Sequence, residues 1–393
     1  MNLLFTLTAY PPSIGGAQLL AHNLAKQLIV RHRLRVITQW SERRTDWLLG
    51  TTLNAPSAAH YAVDGVPVDR ITLSPEMRRQ LAPWVWSYFF LQKFSLPRIA
   101  QALADQIEVF ANEAEVIHNT RVGREGLSVA SLQVARSRRI PFVFTPVHHP
   151  RWNGWLHRYY HHLYRQADAV IALTDAEKQT LIELGVKEDR VFVTGMGPDL
   201  AESPDAQCFR DHYHLNEVPL ILFVGQKYPY KGVAALLGAA NTVWKRFPEA
   251  RFVFIGARTP HSRQLFSAYT DSRLVDLDTV DLQTKTDAFA ACDIFCLPST
   301  QESFGGVFTE AWSLGKPVIG CDIPALRSVI DENVDGFLVP QRSNEIAERI
   351  IYLLDHPIER KRLGENGKRK VEERYTWQRL AEQTEKVYHH VLG

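Results

Sequence analysis

Short apolar runs recur along the chain, each followed by a polar or glycine-rich loop and then by apolar positions at helical spacing. The first series lies at residues 2–7, 35–38, 115–118, 141–145, 169–173 and 191–194. The second lies at 220–224, 251–255, 274–277, 294–297, 318–320 and 337–339. Runs of this length read as buried strands. Between them Ala17, Leu20, Ala21, Leu24, Ala25 and Leu28 line one helix face, and Leu380, Thr384, Val387 and Val391 line another over 377–392. Strands alternating with helices predict right-handed βαβ units and parallel sheets. The pattern therefore predicts an α/β chain of two doubly wound, Rossmann-like domains. Residues 200–218 are polar and irregular and read as the linker between them.

Two stretches break the rhythm. Residues 40–63 carry little periodicity and read as loop. Residues 76–110 read as helical and crowd Trp84, Trp86, Tyr88, Phe89, Phe90 and Phe94 beside Arg78, Arg79, Lys93 and Arg98. An aromatic core helix with solvated arginines is the expectation here. A membrane-interface helix or an acceptor groove is the alternative.

Composition changes this picture little. The chain has 393 residues, enough for two domains, with 45% hydrophobic and 22% charged residues. A net charge of +2 gives no ground for nucleic-acid binding. Cys208, Cys292, Cys296 and Cys321 form no C-x-x-C pair and read as thiols of a reducing cytosol. Residues 1–7 lack a basic flank and read as a strand, not a signal peptide. A cytoplasmic location is expected, with peripheral contact on the inner face of the membrane left open.

Candidate chemistry gathers in four loops. In Pro298-Ser299-Thr300-Gln301-Glu302-Ser303-Phe304-Gly305-Gly306-Val307, a strand ends, a glycine pair follows and a helix begins, with Glu310 about one turn inside. Amides at that helix start suit an anion, and the two carboxylates suit sugar hydroxyls. Gly225-Gln226-Lys227-Tyr228-Pro229-Tyr230-Lys231-Gly232 sets two lysines before another helix, a second anion site. Gly15-Gly16 follows the first strand, but without a G-x-G-x-x-G pattern, so a dehydrogenase is remote. His148 and His149 follow the 141–145 strand, at the end where α/β sheets bind ligands. His157 and His161 have i, i+4 spacing without H-E-x-x-H and read as a helix face. Asp276-Leu277-Asp278 falls inside a strand and reads as chance, so no metal is expected.

The signature Pro-Ser-x-x-Glu-Ser-Phe-Gly-Gly-x-x-x-x-Glu-Ala over residues 298–311 resembles that of the retaining glycosyltransferases of family 4. Lys231-Gly232 resembles the family's Lys-Gly, while Gln226 stands where relatives carry arginine, with Lys227 beside it. The resemblance reaches most of the chain. It implies a GT-B fold: domains at 1–200 and 201–375 facing a cleft, with the 376–393 helix packed back on the first. It implies transfer of a sugar from a nucleoside-diphosphate sugar to a glycan, lipid-linked or small-molecule acceptor, as in polysaccharide, lipopolysaccharide or glycolipid synthesis. No cofactor, metal or nucleic acid is implied. Glu302, His149 and Lys231 are the implied catalytic residues. Gly15, Gly16, Gln226, Lys227, Lys231, Ser303, Phe304, Gly305, Gly306, Val307 and Glu310 are the implied donor contacts, with His148 as an alternative sugar contact. The rivals are a nucleotide-sugar epimerase of the same fold and an inactive nucleotide-sugar-binding scaffold.

Overall fold

The computed structural model describes the whole chain except Ile14, Arg43, Pro150, Arg151, Asn153 and Thr270. The parts of the glycine and histidine loops that fall on Ile14, Pro150, Arg151 and Asn153 lie outside the described residues. The chain divides into two compact units. One comprises Met1–Gly195 together with Trp377–Gly393, the other Met196–Thr376.

The first unit is built on an eight-stranded sheet in the order β3-β4-β2-β1-β5-β6-β7-β8. Its strands are β1 (Asn2–Thr6), β2 (Arg33–Thr38), β3 (Ala59–Val63), β4 (Val66–Arg70), β5 (Val116–Thr120), β6 (Phe142–Thr145), β7 (Ala169–Ala172) and β8 (Val191–Val193). All pairs are parallel except β3 with β4. Helices cover both faces of the parallel part, so β5, β6 and β7 are buried at every position. The strand order reverses between β1 and β5, where the register pairs Phe5 with His118.

The 40–63 stretch is not simply loop: it holds the helix Leu48–Leu53 and the edge strand β3. In β3 half-buried and exposed positions alternate, so no apolar side announces it. The 76–110 helix is two helices, Pro75–Trp86 and Tyr88–Glu108. Ser74 caps the first by accepting the Met77 amide, with Pro75 at its first position. Pro83 removes a donor near its end, and the Ser87 amide and hydroxyl both donate to the Pro83 carbonyl where the helix stops. Leu91 then kinks the second helix. The expected burial of the aromatics is also corrected. Tyr88 is core, but Trp86, Phe89, Phe90 and Phe94 are exposed. The kink turns consecutive residues outward in a way that helical spacing does not foresee.

Helix Trp377–Leu392 buries Leu380, Ala381, Thr384, Val387 and Tyr388 in this unit, against helix Gly16–Leu28. The Tyr388 hydroxyl lies 2.7 Å from His118 Nδ1, and His118 Nε2 lies 2.8 Å from Thr145 Oγ1. Burial pushes His118 down to about 3, so the imidazole is neutral.

The second unit has a six-stranded parallel sheet, β11-β10-β9-β12-β13-β14. Its strands are β9 (Leu220–Val224), β10 (Arg251–Ile255), β11 (Leu274–Leu277), β12 (Ile294–Leu297), β13 (Val318–Cys321) and β14 (Gly336–Val339). Relative to β9 this is the doubly wound dinucleotide-fold order, with its switch point between β9 and β12. Residues 200–218, read as linker, contain the helix Ala206–His212, capped by Asp205. Cys292, Cys296 and Cys321 are buried, and Cys208 is exposed.

Candidate functional site

Because β9 and β12 are neighbours, the loops that leave their carboxyl ends start side by side at the switch point. The first runs from Gly225 to Gly232 and the second from Pro298 to Gly305. They are stitched together by backbone. The Tyr230 carbonyl accepts from the Thr300 amide at 2.9 Å and from Gln341 Nε2 at 2.9 Å. Gln341 Nε2 also donates to the Pro298 carbonyl at 2.7 Å. Gly232 sits at φ +82° before helix Val233–Val243, and a Cβ there would lie 2.6 Å from the Pro298 carbonyl oxygen. Only glycine allows that approach.

One cation–carboxylate pair joins these loops, and a second joins the helix that follows to helix Leu282–Ala291. Lys231 Nζ lies 2.6 Å from Glu302 Oε1. Lys231 belongs to the first loop and Glu302 to the second, and both side chains keep some exposure. Helix Gly306–Ser313 starts from Gly305 at φ +82°, where a Cβ would meet the Phe308 ring at 2.6 Å. Its first turn presents amides without intrahelical acceptors. Glu310, on this helix, accepts from Lys285 Nζ at 3.0 Å through Oε1. Its Oε2 is buried without a hydrogen-bond partner. Burial pushes the Glu310 carboxyl up to about 7, against the pull of Lys285. Lys285 Nζ also lies 3.5 Å from Asp199 Oδ2.

The expected donor contacts divide. Lys231, Glu302, Gly305, Gly306, Val307 and Glu310 all lie on the two loops and the helix that follows the second. Lys227 does not fit its expected phosphate role. Its side chain is fully buried, and Nζ lies 2.5 Å from Asp276 Oδ1 while donating to the Leu277 carbonyl. Along the loop, successive side chains take opposite sides. Gln226 is exposed, and Lys227 turns under the sheet edge to β11. Burial lowers the Lys227 pKa, and Asp276 opposes that shift. Asp276, the first acid of the D-x-D pattern, also accepts from Arg258 at 2.7 Å. Ser303 is buried, and the Phe304 ring is turned to Tyr375, 5.3 Å between centroids.

Sequence reasoning missed Lys285 and Gln341. Lys285 lies in helix Leu282–Ala291 among ordinary helix formers, and no motif marks it. Gln341 follows β14 and acts only through backbone carbonyls.

The remaining candidates lie in the first unit. Gly15 precedes helix Gly16–Leu28 in an extended conformation, and a Cβ on Gly16 would meet nothing within 4 Å. His148 is buried. Its amide donates to Glu177 Oε1 at 2.5 Å, and its Nδ1 lies 3.1 Å from the Tyr164 hydroxyl. Glu177 also accepts the Leu173 amide, and burial pushes it up to about 7. His149 is half-buried beside Trp152, with ring centroids 5.3 Å apart. Arg121 lies 3.7 Å from both the Trp152 and Tyr160 rings and donates to the Tyr164 hydroxyl at 2.7 Å. Of the two histidines, His149 has the greater exposure.

Residues 207–370 match the family model described as glycosyl transferases group 1. Residues 15–197 match the model of the glycosyl transferase 4-like domain. A phosphatidyl-myo-inositol mannosyltransferase of Mycobacterium tuberculosis is 31% identical over 212 residues, 50% of this chain and 56% of that one. The match thus spans little more than half the length of that relative. An MMP α-(1→4)-mannosyltransferase of Mycolicibacterium hassiacum is 25% identical over 355 residues, 82% of this chain and 80% of that one. Among solved structures, Anabaena HepE in complex with UDP superposes with a TM-score of 0.77 at 21% identity, over 99% of this chain and 100% of that one. That likeness shows the fold, GT-B.

Proposed function

Because this chain belongs to the group 1 glycosyl transferases, we propose that it transfers a sugar, with retention and without a metal, from a nucleoside diphosphate to an acceptor hydroxyl. The observation that carries this reading is the Lys231–Glu302 pair at the switch point, beside the start of helix Gly306–Ser313. A diphosphate at that helix start would meet unsatisfied amides and the Lys231 ammonium. Glu302, released from Lys231 by the phosphate, would face the transferred sugar and favour a cationic anomeric carbon. Glu310 would accept ribose hydroxyls through Oε2, held in place by Lys285.

The demanding event is departure of the diphosphate as its charge grows. Lys231 and the helix amides meet that charge without reorganising solvent. The leaving phosphate takes the proton of the attacking hydroxyl, on the same face of the sugar, so no protein nucleophile is required. Metal independence is supported by the engagement of Asp276 with Lys227 and Arg258. With Lys227 committed to Asp276, Gln226 is left to make a neutral hydrogen bond where relatives present arginine. Gly15, Gly16 and His149 would serve the acceptor or the sugar from the first unit. The mannosyltransferase relatives favour an acceptor of the inositol-lipid or sugar type.

The test is thermal stabilisation of wild type and Lys231→Ala by UDP-, GDP- and ADP-sugars. One nucleotide stabilising wild type alone is expected. Stabilisation of both proteins alike would remove Lys231 from the donor site. Turnover of donor with no acceptor present, giving an altered sugar, would make the protein an epimerase.

A further inference from the structure

We propose that the first unit docks on an anionic lipid bilayer through the kink between helices Pro75–Trp86 and Tyr88–Glu108. Large apolar side chains that are exposed elsewhere on the described residues are mostly scattered singly, which is ordinary for a protein surface. Here they come in a group. Phe90 is 87% exposed, Trp86 71% and Phe94 53%, with Phe89 and Leu91 also exposed. Trp155, 60% exposed, and Leu156 join them, because Gln92 Nε2 donates to the Leu156 carbonyl at 3.2 Å.

The underside of the same segment is anchored. Val85, Tyr88, Gln92, Ser95 and Leu96 are buried, and Tyr88 donates to the buried Glu125. The outward rings are therefore not a loose loop. They are the unburied side of a fixed turn, with the Leu91 kink placing Phe89, Phe90 and Leu91 at its tip.

Charge selects the occupant. Between Glu76 and Asp105 every ionic residue is basic: Arg78, Arg79, Lys93 and Arg98. No acidic residue occurs between Glu125 and Asp168, the stretch that carries Trp155 and Arg158. Arg79, Lys93 and Arg98 are exposed. Arg98 lies 3.8 Å from the centroid of Trp84, and Arg158 lies 3.8 Å from that of Trp155. Arg124 lies 5.0 Å from the Phe89 ring, and its Nε and Nη1 make no hydrogen bond. Phenylalanine and tryptophan at the tip with arginine and lysine around them suit the boundary of headgroup and acyl chain. Two copies meeting through this face would oppose like charges, which disfavours a homodimer. No helix among the described residues is long and apolar enough to cross a membrane, so the contact is interfacial.

The experiment is flotation of the full chain with phosphatidylcholine vesicles, with and without phosphatidylglycerol. Wild type should float with the anionic vesicles, less so as salt rises. Phe90→Ser/Phe94→Ser should lose flotation while keeping its circular dichroism and melting temperature, since both rings are exposed. Lys93→Glu/Arg98→Glu should bind at least about tenfold more weakly. Both variants should keep wild-type stabilisation by donor nucleotide. The proposal is overturned if wild type floats with neither vesicle or equally with both, or if the serine variant floats like wild type. It is also overturned if Phe90→Ser/Phe94→Ser abolishes a concentration-dependent dimer, which would make the face an interface between copies.

Discussion

Lys231 Nζ and Glu302 Oε1 lie 2.6 Å apart although 71 residues separate them in the chain. The pair bridges the loop that follows β9 and the loop that follows β12. Lys231→Ala and Glu302→Ala should each lower the transfer rate about 100-fold, the usual loss for one preorganised charge contact. Steady-state kinetics with the identified donor would check this, and near-wild-type turnover in either variant would break the assignment.

Lys227, four residues away, should behave differently. Its ammonium is committed to Asp276 and Leu277. Lys227→Ala leaves a buried cavity and removes one partner of that pair, so stability should fall by about 2–4 kcal/mol in urea titration. The donor KM of the folded fraction should stay at the wild-type value. A raised KM with unchanged stability would return Lys227 to the phosphate site.

Glu310 predicts opposite pH trends for stability and binding. Burial raises its carboxyl from 4.5 to about 7, so between those values the folded chain holds a proton that the unfolded chain has lost. That contribution is fully present below the unfolded value and is lost as pH rises through about 7. Wild type should therefore lose stability relative to Glu310→Gln from about pH 5 to about pH 8. Donor affinity of wild type should rise over the same interval, because the ionised carboxylate accepts two ribose hydroxyls. Parallel curves for the two proteins would exclude titration of Glu310.

Tyr388→Phe should destabilise the first unit by about 1–3 kcal/mol, because His118 Nδ1 would be left buried without its partner. Urea unfolding followed by tryptophan fluorescence would read the change.

Where strands are buried on both faces, the apolar runs were enough to find them, as in β1, β6, β9 and β12. The edge strand β3 escaped because none of its side chains is fully buried, so no apolar side marks it. The glycine-pair signature and the Lys231-Gly232 step were legible because each depends on local backbone. The fate of Lys227 was not legible. It depends on Asp276 arriving from β11, a tertiary pairing that local spacing does not encode. Lys285 was hidden for the same reason, since its partners Asp199 and Glu310 come from distant parts of the sequence. The kink at Leu91 decided which aromatics reach solvent, and a straight helix reading buried too many of them.

Helix Trp377–Leu392 belongs to the first unit but is encoded after the whole of the second. On a ribosome, the groove formed by Leu24, Ala25 and Leu28 must wait for Ala381, Val387 and Tyr388 while Met196–Thr376 is made. At ordinary elongation speeds that wait is roughly ten to forty seconds. The nascent first unit passes that time with an apolar face uncovered.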